Sequence, residues 1–133
     1  MEMKKTVFAA LALFFTLASI ILASNTFSKI DHVAIQYWDQ DTGEYGIQSY
    51  ITDKSSLKVI RESLNKAAHE KRQSEMSQSA NIKMTVFYED NKEEKIYLWK
   101  ESGQFTIFTS GDRDGTYYLS EGKAKDRLEE VLK

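Results

Sequence analysis

The chain has no cysteine and no proline among its 133 residues, and only six glycines. Lack of cysteine excludes disulfides, thiolate catalysis and cysteine-ligated zinc. Such a domain must hold together by packing alone. Lack of proline excludes a stiff proline-rich linker. Nothing repeats at a fixed period, and no glycine-rich phosphate loop, G-x-S-x-G or H-E-x-x-H occurs. Neither sign of charge dominates: 18 basic residues face 20 acidic ones, for a net charge of −2. A near-neutral chain offers no concentrated basic face, so nucleic acid is not an expected partner.

What the chain does have, at its start, is VFAALALFFTLASIILA, residues 7–23. No charge falls between Val7 and Ala23, and Thr16 and Ser19 are the only polar members. At ~1.5 Å per residue the run extends about 25 Å, near the lower limit for a bilayer core. A soluble helix would show polar residues every third or fourth position. Lys4 and Lys5 precede the run, so the positive-inside rule keeps the amino terminus cytoplasmic and exports the remainder. Cleavage after Ala23 or Ser24 would put bulky Ile21 or Leu22 at the −3 position, where a small residue is wanted. The expectation is therefore a single-pass anchor over residues 1–24, with secretion after signal cleavage as the alternative. Leu22-Ala23-Ser24 resembles the start of a bacterial lipobox, but Asn25 stands where the lipidated cysteine would be.

Residues 25–29 read as a polar connector, leaving 30–133 as one extracytoplasmic domain. From Ile30 the pattern alternates, with Val33, Ile35 and Tyr37 on one side and His32, Ala34, Gln36 and Trp38 on the other. A turn at Asp39-Gln40-Asp41-Thr42-Gly43 leads into a second strand over 45–52. Asp53 or Ser55 is placed to cap a helix reaching about Lys71, with Leu57, Ile60 and Leu64 on its apolar stripe. The polar stretch 70–79 reads as a solvated loop. Four further strands follow near 81–88, 95–100, 105–109 and 116–119. Ser120 then opens a last helix with Ala124, Leu128, Val131 and Leu132 along one side. The order ββαββββα predicts an α+β domain of two layers, an antiparallel sheet of about six strands carrying both helices on one face.

In the second half, Ile96-Tyr97-Leu98-Trp99, Gly103 and Thr116-Tyr117-Tyr118-Leu119-Ser120 before a leucine-bearing helix resemble small exported proteins of bacilli and related Firmicutes. Those proteins are often lipid-anchored. The resemblance covers about residues 30–133 and implies a location outside the cytoplasm, without an activity.

Three candidate sites emerge. The strand register places Trp38, Tyr50, Phe87, Tyr97, Trp99, Phe108 and Tyr118 on the sheet face away from the helices, with Gln36, Gln48, Thr85 and Thr106 beside them. Rings with polar edges suit a protein or peptide partner, because they give contact area at low entropic cost. Aromatic residues also favour strands and stabilise one another across them, which explains the same pattern without a partner. In Ser110–Glu121, counting Ser110 as the first position, Asp112, Asp114 and Glu121 fall at the third, fifth and twelfth, as in an EF-hand calcium loop. Ser110 replaces the expected first aspartate, and strands flank the turn where a helix is wanted. His32 and His69 have no serine or acidic partner at a diagnostic spacing and read as surface residues. The expectation is a non-enzymatic binding module without a cofactor, with a small-ligand or calcium-binding domain, and less favourably a hydrolase, as alternatives.

Overall fold

A computed structural model describes residues 26–72, 76, 78–102, 105–120 and 122–133. The apolar run at 7–23 lies outside the described residues. Among the described residues no helix is long and apolar enough to cross a membrane.

The alternating stretches become strands β1 (Ile30–Asp39), β2 (Glu44–Tyr45), β3 (Ser49–Ile51), β4 (Ala68–Glu70), β5 (Ile82–Tyr88), β6 (Glu93–Ser102), β7 (Phe105–Ser110) and β8 (Thr116–Ser120). All pair antiparallel in one sheet of order β2-β1-β5-β6-β7-β8-β4, with β3 also on β1. The sheet therefore has eight strands rather than about six. One extra strand comes from a break between β2 and β3. Trp38 pairs with Tyr45 and Ile35 with Ser49, so two residues of β1 oppose three, Gly46, Ile47 and Gln48. That surplus is a bulge, and it leaves Ile47 95% exposed.

The other extra strand is β4. The first helix, α1 (Lys54–Lys66), ends five residues before Lys71, because Ala67 turns extended at φ −65° and ψ 139°. Ala68 to Glu70 then pair with Tyr118 to Thr116. Gly115, at φ +89°, admits this close pass: a Cβ there would lie 2.1 Å from the Glu70 carbonyl oxygen.

Asp53 is the cap of α1, its Oδ2 accepting from the Ser56 N–H at 3.0 Å and the Ser55 hydroxyl at 2.9 Å. The hydrogen bonds from Ser56, then that from Ser55, hold its carboxyl below the usual range. A depressed carboxylate stabilises the fold above its unfolded pKa and loses that contribution as pH falls through the folded value. Asp53→Ala therefore lowers the melting temperature at neutral pH, and the gap to wild type closes in acid. The second helix, α2 (Lys123–Val131), starts at Gly122 without a side-chain cap, so Ser120 does not cap it.

Both helices lie on one face. Leu57, Ile60 and Leu64 of α1 meet Leu128 of α2 and Leu132 in a single core with Val33, Ile35, Met84, Ile96, Leu98 and Tyr117. The Ser63 hydroxyl donates to the Ala124 carbonyl and joins the helices, while Tyr37 donates from the sheet to the Leu132 carbonyl. Each such aliphatic side chain contributes about 1.5–3 kcal/mol by its burial. Phe27, within the stretch that reads as connector, is also core: it is 1% exposed and packs edge-on to Phe108 and Tyr117. Arg61 Nε donates to its carbonyl, and its N–H donates to Asn65 Oδ1. The packed domain thus begins by Phe27, not at residue 30.

Tyr117 is 2% exposed, and its hydroxyl has no hydrogen-bond partner among the described residues. An unpaired buried hydroxyl is a cost, so Tyr117→Phe keeps the stability or raises it by about 1 kcal/mol. Thermal denaturation measures it; a clear loss would reveal a partner for that oxygen.

Candidate functional site

The ladder registers assign every outward residue. Tyr37, Ile82, Leu98, Phe108 and Tyr117 form one rung facing the helices. The neighbouring rung, on the other face, runs from Trp38 past Asn81 to Trp99, Ile107, Tyr118 and Ala68. Tyr97 stands one rung further along, level with Gln36, Lys83 and Thr109. Trp38, Tyr97, Trp99 and Tyr118 are half-buried there.

Phe108 corrects the expected set. It is 0% exposed and stacks on Tyr117 at 4.8 Å between ring centres, on the helix side. The reason is the ladder: Phe108 pairs with inward Leu98, which fixes its face, and Thr106, two residues earlier on the same side, bonds Glu129 on α2. Either phase of FTIFTS carries apolar residues, so alternation alone does not choose between them. Ile107 and Phe105 take the outward places, Phe105 edge-on to Tyr118 at 5.9 Å.

Tyr50 and Phe87 are outward but stand apart. Phe87 pairs with His32 on the ladder and stacks on its ring at 4.4 Å, while Tyr50 lies 6.5 Å from that ring. Trp38 sits six residues along β1 from His32, roughly 20 Å at the strand rise. The seven predicted residues thus divide into a ring row of Trp38, Tyr97, Trp99 and Tyr118, a separate corner of Tyr50 and Phe87, and buried Phe108.

Residues 78–81 edge the ring row. Trp99 Nε1 donates to the Gln78 carbonyl at 2.8 Å, and the Tyr45 hydroxyl to the Ala80 carbonyl at 3.0 Å. Tyr45, which the sequence reading passed over, packs edge-on to Trp38 at 5.1 Å and carries the Lys83 ammonium 5.9 Å above its ring. Its position opposite Trp38 across the first turn was the signal that could have found it. Burial raises the Tyr45 phenol above the ordinary range, with the neighbouring Tyr97 adding to it. Tyr45 therefore presents a neutral ring at physiological pH. Two concavities of about 550 and 560 Å³ lie away from the row, around Lys54 and Arg61 and around Asp90 and Arg113. Rings aligned along a sheet face suit the surface of a macromolecular partner.

Among the described residues the candidate metal ligands and the two histidines stand apart. Asp112 and Asp114 are exposed on the turn between β7 and β8, and Glu121 lies outside the described residues. Among the described residues no three His, Asp or Glu side chains converge as metal ligands. His69 Nε2 lies 2.7 Å from the Asp114 carbonyl oxygen, and its ring stacks on Tyr117. His32 pairs with Asp31 at 2.6 Å. They belong to β1 and β4, with four strands between them.

A second cluster was missed altogether. Glu94 is 4% exposed and accepts from the Tyr88 and Ser110 hydroxyls, each at 2.5 Å, and from Arg113 Nε at 2.7 Å and its Nη2 at 3.2 Å. Those four bonds fill the acceptor capacity of a carboxylate. Burial, then the Glu94 hydrogen bond and charge, push the Tyr88 hydroxyl up, so it stays a donor. Burial pulls the Arg113 guanidinium down, but the Glu94 bond and charge outweigh it, and the net shift is upward. The arrangement ties the β5–β6 and β7–β8 turns together as a saturated clasp. Arg113 also reaches the Thr26 carbonyl and lies 3.9 Å from the Phe27 ring centre.

A two-layer α+β domain whose helix-free sheet face carries half-buried rings is the class these observations define. The chain belongs to the YhfM family, whose model matches residues 28–133. No curated protein and no solved structure matches it.

Proposed function

We propose that this chain is a non-enzymatic module, anchored by residues 7–23 and exposed outside the cytoplasmic membrane, that binds a protein or peptide on its helix-free sheet face. The observation that carries the reading is the row Trp38, Trp99 and Tyr118, with Tyr97 beside it, half-buried on the face opposite both helices. Accessory, inhibitory and immunity-type roles all use such a surface. The membrane part rests on the uninterrupted apolar run behind Lys4 and Lys5.

Affinity capture of the full-length protein from membranes tests it. Tyr97→Ala with Tyr118→Ala should remove the captured partner while the circular dichroism spectrum stays that of wild type. An unchanged capture profile from the folded double variant sinks the reading.

A further inference from the structure

The chain enters the packed domain at a fixed point on the helix side of the sheet. Phe27 belongs to the core that both helices share, and it meets the inward rings of Phe108 and Tyr117. Its N–H donates to Asn65 Oδ1 at 2.7 Å, and Arg61 Nε donates to its carbonyl at 3.1 Å. Arg113 Nη2 donates to the Thr26 carbonyl at 3.2 Å. Ala23, the last residue of the apolar run, is three Cα steps before Thr26. Those steps extend at most ~11 Å. With residues 7–23 in the bilayer, Thr26 and the side chains around it therefore stand at the headgroup layer.

Two turns share that place. Thr26 and Ser28 line one concavity together with Asp90 and Lys92 of the β5–β6 turn and Asp112 and Arg113 of the β7–β8 turn. The Glu89 N–H also donates to the Lys29 carbonyl at 3.0 Å. Charges of both signs suit polar headgroups and keep this end out of the hydrocarbon. The exposed large hydrophobics Tyr37, Ile47, Tyr50 and Phe105 all lie outside both turns. The ring row leads away from them. Along their strands Tyr118 is three residues from Gly115, Trp99 six from Glu93 and Trp38 eight from Ile30, roughly 10, 20 and 26 Å at the strand rise.

Two surfaces suit such a row, because tryptophan and tyrosine gather at membrane interfaces as well as at protein contacts. The entry point decides between them. We infer that the domain rests on the lipid headgroups by its β5–β6 and β7–β8 turns, and that the ring row is turned away from the bilayer toward the extracytoplasmic part of a protein partner. Laying the helix-free face on the bilayer would lift Phe27, behind the sheet, by roughly 10 Å, the spacing of packed side-chain layers. That consumes the whole reach of the connector before it has passed around the sheet. Resting on the turns needs no such stretch. The inference rests on the anchor proposed above, and it adds which way the domain faces and what class of partner the rings meet.

The chain has no cysteine, so single cysteines report their own depth. Full-length Lys92→Cys, Asp112→Cys, Asp41→Cys and Tyr97→Cys are each labelled with bimane and reconstituted into vesicles of phosphatidylcholine and phosphatidylglycerol that carry a spin label on the headgroup. Lys92, Asp112 and Asp41 are exposed, and Tyr97 is half-buried on the ring-bearing face. Positions 92 and 112 should lose most of their emission to the label, while positions 41 and 97 keep theirs. A flexible Gly-Ser insert of about eight residues after Asn25, roughly 16 Å of added reach, should restore emission at position 92 with the circular dichroism spectrum unchanged. Quenching at position 97, none at position 92, or indifference of position 92 to the insert overturns the orientation and leaves the anchor standing. A full chain that stays out of the vesicles overturns the anchor, and this inference with it.

Discussion

Phe27→Ala should lower the unfolding free energy by about 3–5 kcal/mol, the range for emptying a buried phenylalanine site. The ring is 1% exposed and wedged between Phe108, Tyr117 and the Arg113 guanidinium. Its backbone is fixed as well, by Asn65 and Arg61 of α1, so the site has little freedom to collapse around the vacancy. A domain of this size has about 5–15 kcal/mol in total. The variant should therefore unfold at a much lower urea midpoint, with the slope of the transition unchanged. A loss below about 1 kcal/mol would mean that the segment before β1 is dispensable.

Arg113→Ala should be nearly as costly, about 3 kcal/mol, because it removes one partner of a buried ion pair and leaves the other charged. Arg113 retains 16% of its side-chain exposure and Glu94 only 4%, so water can do little for the abandoned carboxylate. The Tyr88 and Ser110 hydroxyls stay on Glu94 and keep the loss from being larger. Arg113→Lys should recover only part of it. A lysine keeps the charge but lacks the planar fork that serves both oxygens. Because Arg113 touches Phe27, the two losses should not add, and a double-mutant cycle in urea measures their coupling. Additive losses would show that the clasp and the ring act separately.

Much of this architecture is legible in the sequence. Alternation located the strands from Ile30, Ile82 and Thr116, and the stripe of Leu57, Ile60 and Leu64 located α1. Periodicity reports one strand at a time, and the errors fall where a neighbour decides. Alternation alone lets Phe108 face outward, because either phase of its strand suits apolar residues, and only pairing with Leu98 fixes the face. Ala67 and Ala68 continue the helical stripe of α1, yet the chain leaves the helix to pair with β8. Short strands with exposed side chains carry no apolar signal to read.

Glu94 is more instructive. It sits in EDNKEEK, a composition that reads as a solvated turn, yet lies two and four residues before Ile96 and Leu98 on the inward side. Alternation extended back from those residues would have placed a carboxylate in the core and prompted a search for its partners. Arg113, 19 positions away, lies in the turn between β7 and β8, and sequence spacing does not bring the two together. The ring row was legible in part. Trp38, Tyr97, Trp99 and Tyr118 follow from the strand phases, whereas Ile107 and Phe105 depend on the same ladder that buries Phe108.

Site-specific photocrosslinking in intact cells measures the central claim most directly. A photoreactive residue at position 97 or 118 of the full chain should give a discrete adduct with another protein, and one at exposed Arg127 on the helix layer should give none. Adducts from position 127 alone, or none from the sheet face, would contradict the account.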